Sequence, residues 1–177
     1  MRIINTNIEG CLVIQPNIHK DSRGFFLETY QEKKYSEIIG ADHKFVQDNH
    51  SLSSLGVLRG LHFQENYPQG KLVRCSRGKV YDVAVDLRPQ SKTFKKWVGV
   101  ELNEDNFSQL WIPPGLAHGF LVLSENAEIQ YKCTNYYYPE YEKSLLWNDP
   151  NIGIKWPLTD PILSDKDKNA ILFSDLF

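Results

Sequence analysis

The stretch Lys79-Val80-Tyr81-Asp82-Val83-Ala84-Val85-Asp86-Leu87 decides the fold class. Alternation with period two sets Tyr81, Val83, Val85 and Leu87 on one face and Asp82 and Asp86 on the other, which is the pattern of a β-strand. Upstream, Leu72-Val73-Arg74-Cys75 is a second apolar run, joined to the first through Ser76-Arg77-Gly78, a short glycine-containing connection of hairpin type. Outward from this pair, strands are expected at Gly24 to Tyr30, Phe45 to Ser51, Trp97 to Leu102, Ser108 to Ile112, His118 to Leu123 and Glu128 to Asn135. Only two segments look helical. One is Gln31 to Ile39, closing at Gly40, and the other starts at Ser164, whose hydroxyl can cap the first turn.

Nine prolines and eleven glycines punctuate these runs at short intervals, with no repeat, linker or low-complexity stretch between them. Many short strands with Gly/Pro turns predict an all-β sandwich or barrel, and a jelly roll is the variety whose interior readily holds a ligand. A chain of 177 residues is expected to form one domain over 1–177. Twenty Lys and Arg stand against twenty-two Asp and Glu, for a net charge of −2. These charges are dispersed along the chain, so no nucleic-acid footprint is expected. No apolar run reaches the ~20 residues of a membrane span, and the N-terminus has no continuous apolar core of a secretory signal. Cys11, Cys75 and Cys133 are odd in number and widely spaced, which fits a reducing cytoplasm better than a disulfide framework or a zinc knuckle.

Candidate chemistry gathers in a few places. His62 lies in Leu58-Arg59-Gly60-Leu61-His62-Phe63-Gln64, where alternation puts Gly60, His62 and Gln64 on one face and where Arg59 and Lys71 bracket the histidine. His118 follows the Pro113-Pro114-Gly115 turn. Each histidine on its own reads first as a hydrogen-bonded structural residue and only second as a catalyst. Arg23 sits at the mouth of a strand beside Gly24, Phe25 and Phe26, either in solvent or ready to grip a diphosphate. Tyr131, Tyr136, Tyr137, Tyr138 and Tyr141 form an aromatic group that on its own reads first as packing. Asp167, the third residue after Ser164, suits a helix N-terminus, so capping explains it without catalysis.

Taken together, Asp21 to Phe26, Gln47 to Ser51, Leu58 to Gln64, Gly70 to Arg74, Leu110 to Leu123, Tyr131 to Tyr137, Trp147 to Pro150 and Ser164 to Asp167 resemble the dTDP-4-dehydrorhamnose 3,5-epimerases along essentially the whole chain. The resemblance implies a cupin-type jelly roll with a few short peripheral helices, assembled as a homodimer in the cytoplasm. It implies an isomerase that takes dTDP-4-dehydro-6-deoxy-glucose to dTDP-4-dehydro-rhamnose, in the dTDP-L-rhamnose route to cell-surface polysaccharide. His62 then falls on the base beside the ketone, Asp167 on its carboxylate partner, Tyr131 on the acid of the opposite face, and Lys71 can stabilise an enolate. Tyr137 falls on the residue that stacks on thymine. Arg23, Phe26, Glu28, Gln47, Asp48, Asn49, Arg59, Lys71, His118, Glu142 and Lys166 fall on substrate-contacting positions. Cys133 stands where threonine is commoner. No cofactor or metal is implied: a metal cupin would place a second histidine at Gln64, and an amide is a poor ligand. The competing readings are a single-carbon epimerase, a metal-dependent cupin, and a non-catalytic nucleotide-sugar binder.

Overall fold

The computed structural model describes residues 1–177. Its strands are β1 (Arg2–Asn5), β2 (Leu12–Gln15), β3 (Ile18–Asp21), β4 (Gly24–Leu27), β5 (Gln47–Ser54), β6 (Leu58–Gln64) and β7 (Lys71–Arg77). They continue with β8 (Lys79–Asp86), β9 (Trp97–Asn103), β10 (Gln109–Ile112), β11 (Leu116–Val122), β12 (Asn126–Cys133) and β13 (Glu142–Ser144). Helix α1 (Glu32–Ile39) is capped by the Gln31 side chain and ends at Gly40, and α2 (Asp165–Lys168) is capped by Ser164.

One sheet runs in the order β1-β2-β10-β7-β12-β5 and faces another in the order β13-β6-β11-β8-β9. Within β5 to β12, every connection except β8 to β9 crosses from one sheet to the other, which is the winding of a jelly roll. The hairpin expected across Ser76-Arg77-Gly78 is therefore absent. Strand β7 pairs with β10 and β12, whereas β8 pairs with β9 and β11. Gly78 turns the corner between the sheets at φ +74°, where a Cβ would stand 2.1 Å from the Asn126 carbonyl oxygen, so a side chain cannot be fitted there. A short glycine turn between two apolar runs serves a hairpin and a sheet-crossing corner alike, and local sequence does not separate them.

The reading of β8 as a two-faced strand holds, with both faces buried. Val83, Val85 and Leu87 pack outward with Leu61 of β6 and with Leu145, Ile152 and Phe173 of the C-terminal segment. The opposite face, with Val80, Asp82, Ala84 and Asp86, points between the sheets, and both aspartates are 0% exposed. Asp86 is satisfied there by Arg88, Ser91 and Thr93, which hold its carboxyl down at about 2 against the upward push of burial. One end of the sandwich interior is apolar, with Ile8, Val80, Leu102, Leu110 and Ile129. The other end is where polar side chains collect.

Strands β3 and β4 pair only with each other and form a separate ribbon. The strand expected to run on to Tyr30 stops at Leu27, because β4 has no neighbour beyond the ribbon.

Candidate active site

The polar end of the sandwich opens into a cavity of about 580 Å³, within the range of small-molecule sites. Its two walls are the two sheets. From the six-stranded sheet come Gln47, Asn49, Lys71 and Tyr131, and from the five-stranded sheet come Arg59, His62, His118 and Glu142. Strand alternation turns these side chains inward from their own walls, except that Arg59 and His62, three residues apart, share a face only because β6 is irregular between them. Between β6 and β11 the register slips near Gly60 and Gly119. A Cβ on Gly60 would lie 2.6 Å from the Gly119 Cα, so two glycines let the strands close up beneath Arg59, His62 and His118.

His62 and Asp167 are brought together from opposite ends of the chain. His62 Nε2 donates to Asp167 Oδ1 at 2.6 Å, and Ser164 Oγ donates to Oδ2 at 2.9 Å. Asp167 is 2% exposed, and its own N–H donates to Ser164 Oγ at 3.1 Å. It is thus a helix-start residue and a histidine partner at once. Burial would raise its carboxyl, but the hydrogen bond and charge of His62 and the Ser164 hydroxyl outweigh it and hold the group below the ordinary carboxylate value. A carboxylate only accepts, so Nε2 carries the proton and Nδ1 is the nitrogen left to act as a base.

A second histidine–carboxylate pair lies deeper. His118 Nε2 donates to both oxygens of Asp82 at 3.0 Å, in a contact buried on all sides. Asp82 was not among the expected site residues. Its signal was visible as an acid recurring on one face of a Val-rich strand, but alternation alone does not say which face is interior.

Lys71 is buried with no carboxylate within ion-pair distance, and burial holds its ammonium below the ordinary lysine value against the pull of Cys133, Glu142 and Asp82. Tyr131, on the wall opposite His62, has its hydroxyl pushed up to about 12, chiefly by burial. It is a neutral O–H donor across the physiological range. At the mouth, Tyr137 donates its hydroxyl to Glu142 at 2.7 Å, and Lys166 pairs with the same carboxylate. Lys166 therefore braces the rim. Arg59 lines the cavity and donates from Nε to Ser53 at 2.8 Å.

Four expected contacts lie elsewhere. Asp48 is turned by the alternation of β5 to the outer face, where Lys132 donates to it at 2.9 Å. Arg23, Phe26 and Glu28 belong to the β3–β4 ribbon and its exit, outside this cavity. Arg23 pairs with Asp21, Glu28 with Lys34, and Phe26 is 70% exposed. Gln64 faces the cavity as the alternation predicts, with its amide fully engaged by backbone groups. No three His, Cys, Asp or Glu side chains lie close enough to share a metal ion.

Residues 5–175 match the family model described as dTDP-4-dehydrorhamnose 3,5-epimerase. The enzyme of that name from Salmonella typhimurium is 56% identical over 97% of this chain and 95% of its own length. The crystal structure of a dTDP-6-deoxy-D-glucose-3,5-epimerase from Legionella pneumophila, in complex with dTDP-4-keto-L-rhamnose, superposes with a TM-score of 0.95 at 52% identity. That match covers 98% of this chain and 93% of the Legionella chain. The Bacillus anthracis dTDP-4-dehydrorhamnose 3,5-epimerase with TDP and PPi bound gives 0.93 at 45% identity, covering 97% and 99%. With a cupin-type jelly roll, a cavity between its sheets and this likeness along its whole length, the chain belongs to the dTDP-4-dehydrorhamnose 3,5-epimerase family.

Proposed function

We propose that the chain converts dTDP-4-dehydro-6-deoxy-glucose to dTDP-4-dehydro-rhamnose by inverting C3 and C5, and that the observation carrying this reading is the placement of His62 and Tyr131 on opposite walls of one cavity. Each inversion removes a proton from a carbon beside the C4 ketone and returns one to the other face. A base on one wall and an O–H donor on the other supply that arrangement. His62 takes the proton through Nδ1 while Asp167 stabilises the imidazolium that results. The flat enolate places its negative charge on the C4 oxygen, and Lys71, an ammonium without a counter-ion, is the group suited to it. Tyr131 then donates from the far side.

Tyr137, half exposed at the mouth, is assigned to the thymine ring, and Arg59 to the diphosphate. The reading extends to a homodimer. The β3–β4 ribbon leaves Phe25 and Phe26 mostly exposed, with Arg23 at its tip, and a second copy is the surface proposed to cover it. Arg23, Phe26 and Glu28 would then act at the cavity of the second copy. No helix is long and apolar enough to cross a membrane. A cytoplasmic location is part of the same proposal and rests on three buried free thiols.

The test is incubation with dTDP-4-dehydro-6-deoxy-glucose in deuterated water, with label read by NMR at C3 and C5. Label at both carbons together with the L-rhamno product supports the reading. Label at one carbon alone identifies a single-carbon epimerase, and no label identifies a binding protein.

A further inference from the structure

Gln64 follows His62 by two residues on the same inward face of β6, and it is 5% exposed. Its amide spends every strong bond on the backbone of two loops. Nε2 donates to the Tyr67 carbonyl at 2.8 Å and to the Tyr136 carbonyl at 3.2 Å, while Oε1 accepts the Tyr138 N–H at 2.8 Å. The two loops precede β7 and follow β12, and here side chains take the place of a strand ladder. Gln69 donates to the Asn135 carbonyl at 2.9 Å, and Asn135 donates back to the Pro68 carbonyl at 3.1 Å. Gln47 accepts the Tyr137 N–H at 2.9 Å. Both peptide groups flanking Tyr137 are thus tied to Gln64, and the N–H of the first is tied to Gln47 as well.

We infer that Gln64 is a positioning residue for nucleotide recognition: it fixes the Tyr136–Tyr138 segment so that the Tyr137 ring stands ready at the cavity mouth. This rests on the reading of Tyr137 as the residue that stacks on the nucleotide base. Three details support the assignment. Tyr67 sits at φ +55°, a region that non-glycine residues visit only when the surroundings hold them there, and the Gln64 amide holds its carbonyl. Tyr67 packs on Tyr138 and Tyr141 with centroid separations of 5.0 and 5.6 Å, so ring packing joins the two loops beside the Gln64 hydrogen bonds. The Tyr137 hydroxyl is anchored separately on Glu142, which leaves the ring itself with few freedoms. A ring ordered before binding loses less entropy when the base arrives, so the gain belongs to affinity and not to the chemical step.

Gln64→Met keeps the volume, adds no charge and removes all three bonds. The expected result is a Kd for free dTDP raised roughly tenfold, the scale of one base–aromatic stack. KM should rise in parallel, and kcat at saturating substrate should change by less than about threefold. In a double-mutant cycle, Gln64→Met should add little on a Tyr137→Ala background, because the ring it positions is already gone. Unchanged dTDP affinity, or losses that add in full, would overturn the inference. If Tyr137→Ala itself leaves dTDP affinity untouched, the stacking reading beneath it fails, and the cycle separates the two failures. Should Gln64→Met not fold, hydrogen exchange on the unaltered enzyme decides. The Tyr138 amide is expected to be protected before dTDP is added, and exchange at the rate of an exposed loop amide would refute the positioning role.

Discussion

Asp167→Asn removes one charge from the site and leaves its shape almost unchanged. The carboxylate oxygen lies 2.6 Å from His62 Nε2 in a residue only 2% exposed, so the charge acts with little screening. Two unit charges ~4 Å apart at an effective dielectric of ~20 attract by about 4 kcal/mol, which bounds what the imidazolium loses. An amide oxygen still accepts from Nε2, and a neutral acceptor keeps roughly half the strength of a charged one. The transition state should therefore lose about 2 to 4 kcal/mol, or roughly 30-fold to 10³-fold in kcat.

Stability should move far less. The cap bond runs from the Asp167 N–H to Ser164 Oγ and does not involve the carboxyl. A melting curve and dTDP binding close to the parent are thus expected beside a large loss of deuterium exchange at C3 and C5. The reverse pattern, a lowered melting temperature with exchange near the parent rate, would show that Asp167 only starts the helix and would refute its part in proton transfer.

Tyr131→Phe keeps the ring and its packing, so deuterium should still enter C3 or C5 through His62 with little doubly inverted product; L-rhamno product at the parent rate would remove Tyr131 as the acid. The alkaline limb of kcat/KM should come from Lys71, whose ammonium is lowered by burial, since the Tyr131 hydroxyl at about 12 ionises later. In Lys71→Arg that limb should vanish, because guanidinium keeps its charge, and an unmoved limb would assign it elsewhere. Asp86, held at about 2 against 3.8 for a free side chain, stabilises the fold fully above the unfolded value and loses that contribution as pH falls through the folded one. Denaturant melts of Asp86→Asn should show a loss of about 2 kcal/mol at neutral pH that shrinks towards pH 2; an equal loss at both pH values would exclude the linkage.

Periodic and capping signals were legible wherever the physics is local. Strand β8 and both helix starts are examples, because alternation and a side-chain cap each act within a few residues. The connection after β7 was not, since a glycine corner looks the same whether the chain turns back beside itself or crosses to another sheet. Asp48 shows a second limit. Three consecutive residues of one strand cannot all face one cavity, so Gln47 and Asn49 enter it and Asp48 does not. Asp167 shows a third. Its neighbours in sequence account for it as a cap, the pairing with His62 came from the family resemblance and from no local signal, and the fold brings the two side chains together across 105 residues.

The charges inside the sandwich follow one logic. Each cavity histidine has its own buried carboxylate, half-buried His62 with Asp167 and buried His118 with Asp82, so neither aspartate is left to bear its desolvation alone. Lys71 is the exception, a buried cation with no paired anion in the free protein. Leaving such a group unpaired is unfavourable, and a fold under selection for stability alone would replace it with an apolar side chain. Its retention makes sense if the missing charge arrives with the reaction. The substrate ketone is neutral and offers little, whereas the enolate oxygen carries the negative charge that Lys71 lacks. The interaction is then strongest in the transition state, and the instability of the free site becomes selectivity for the bond-making step over simple binding.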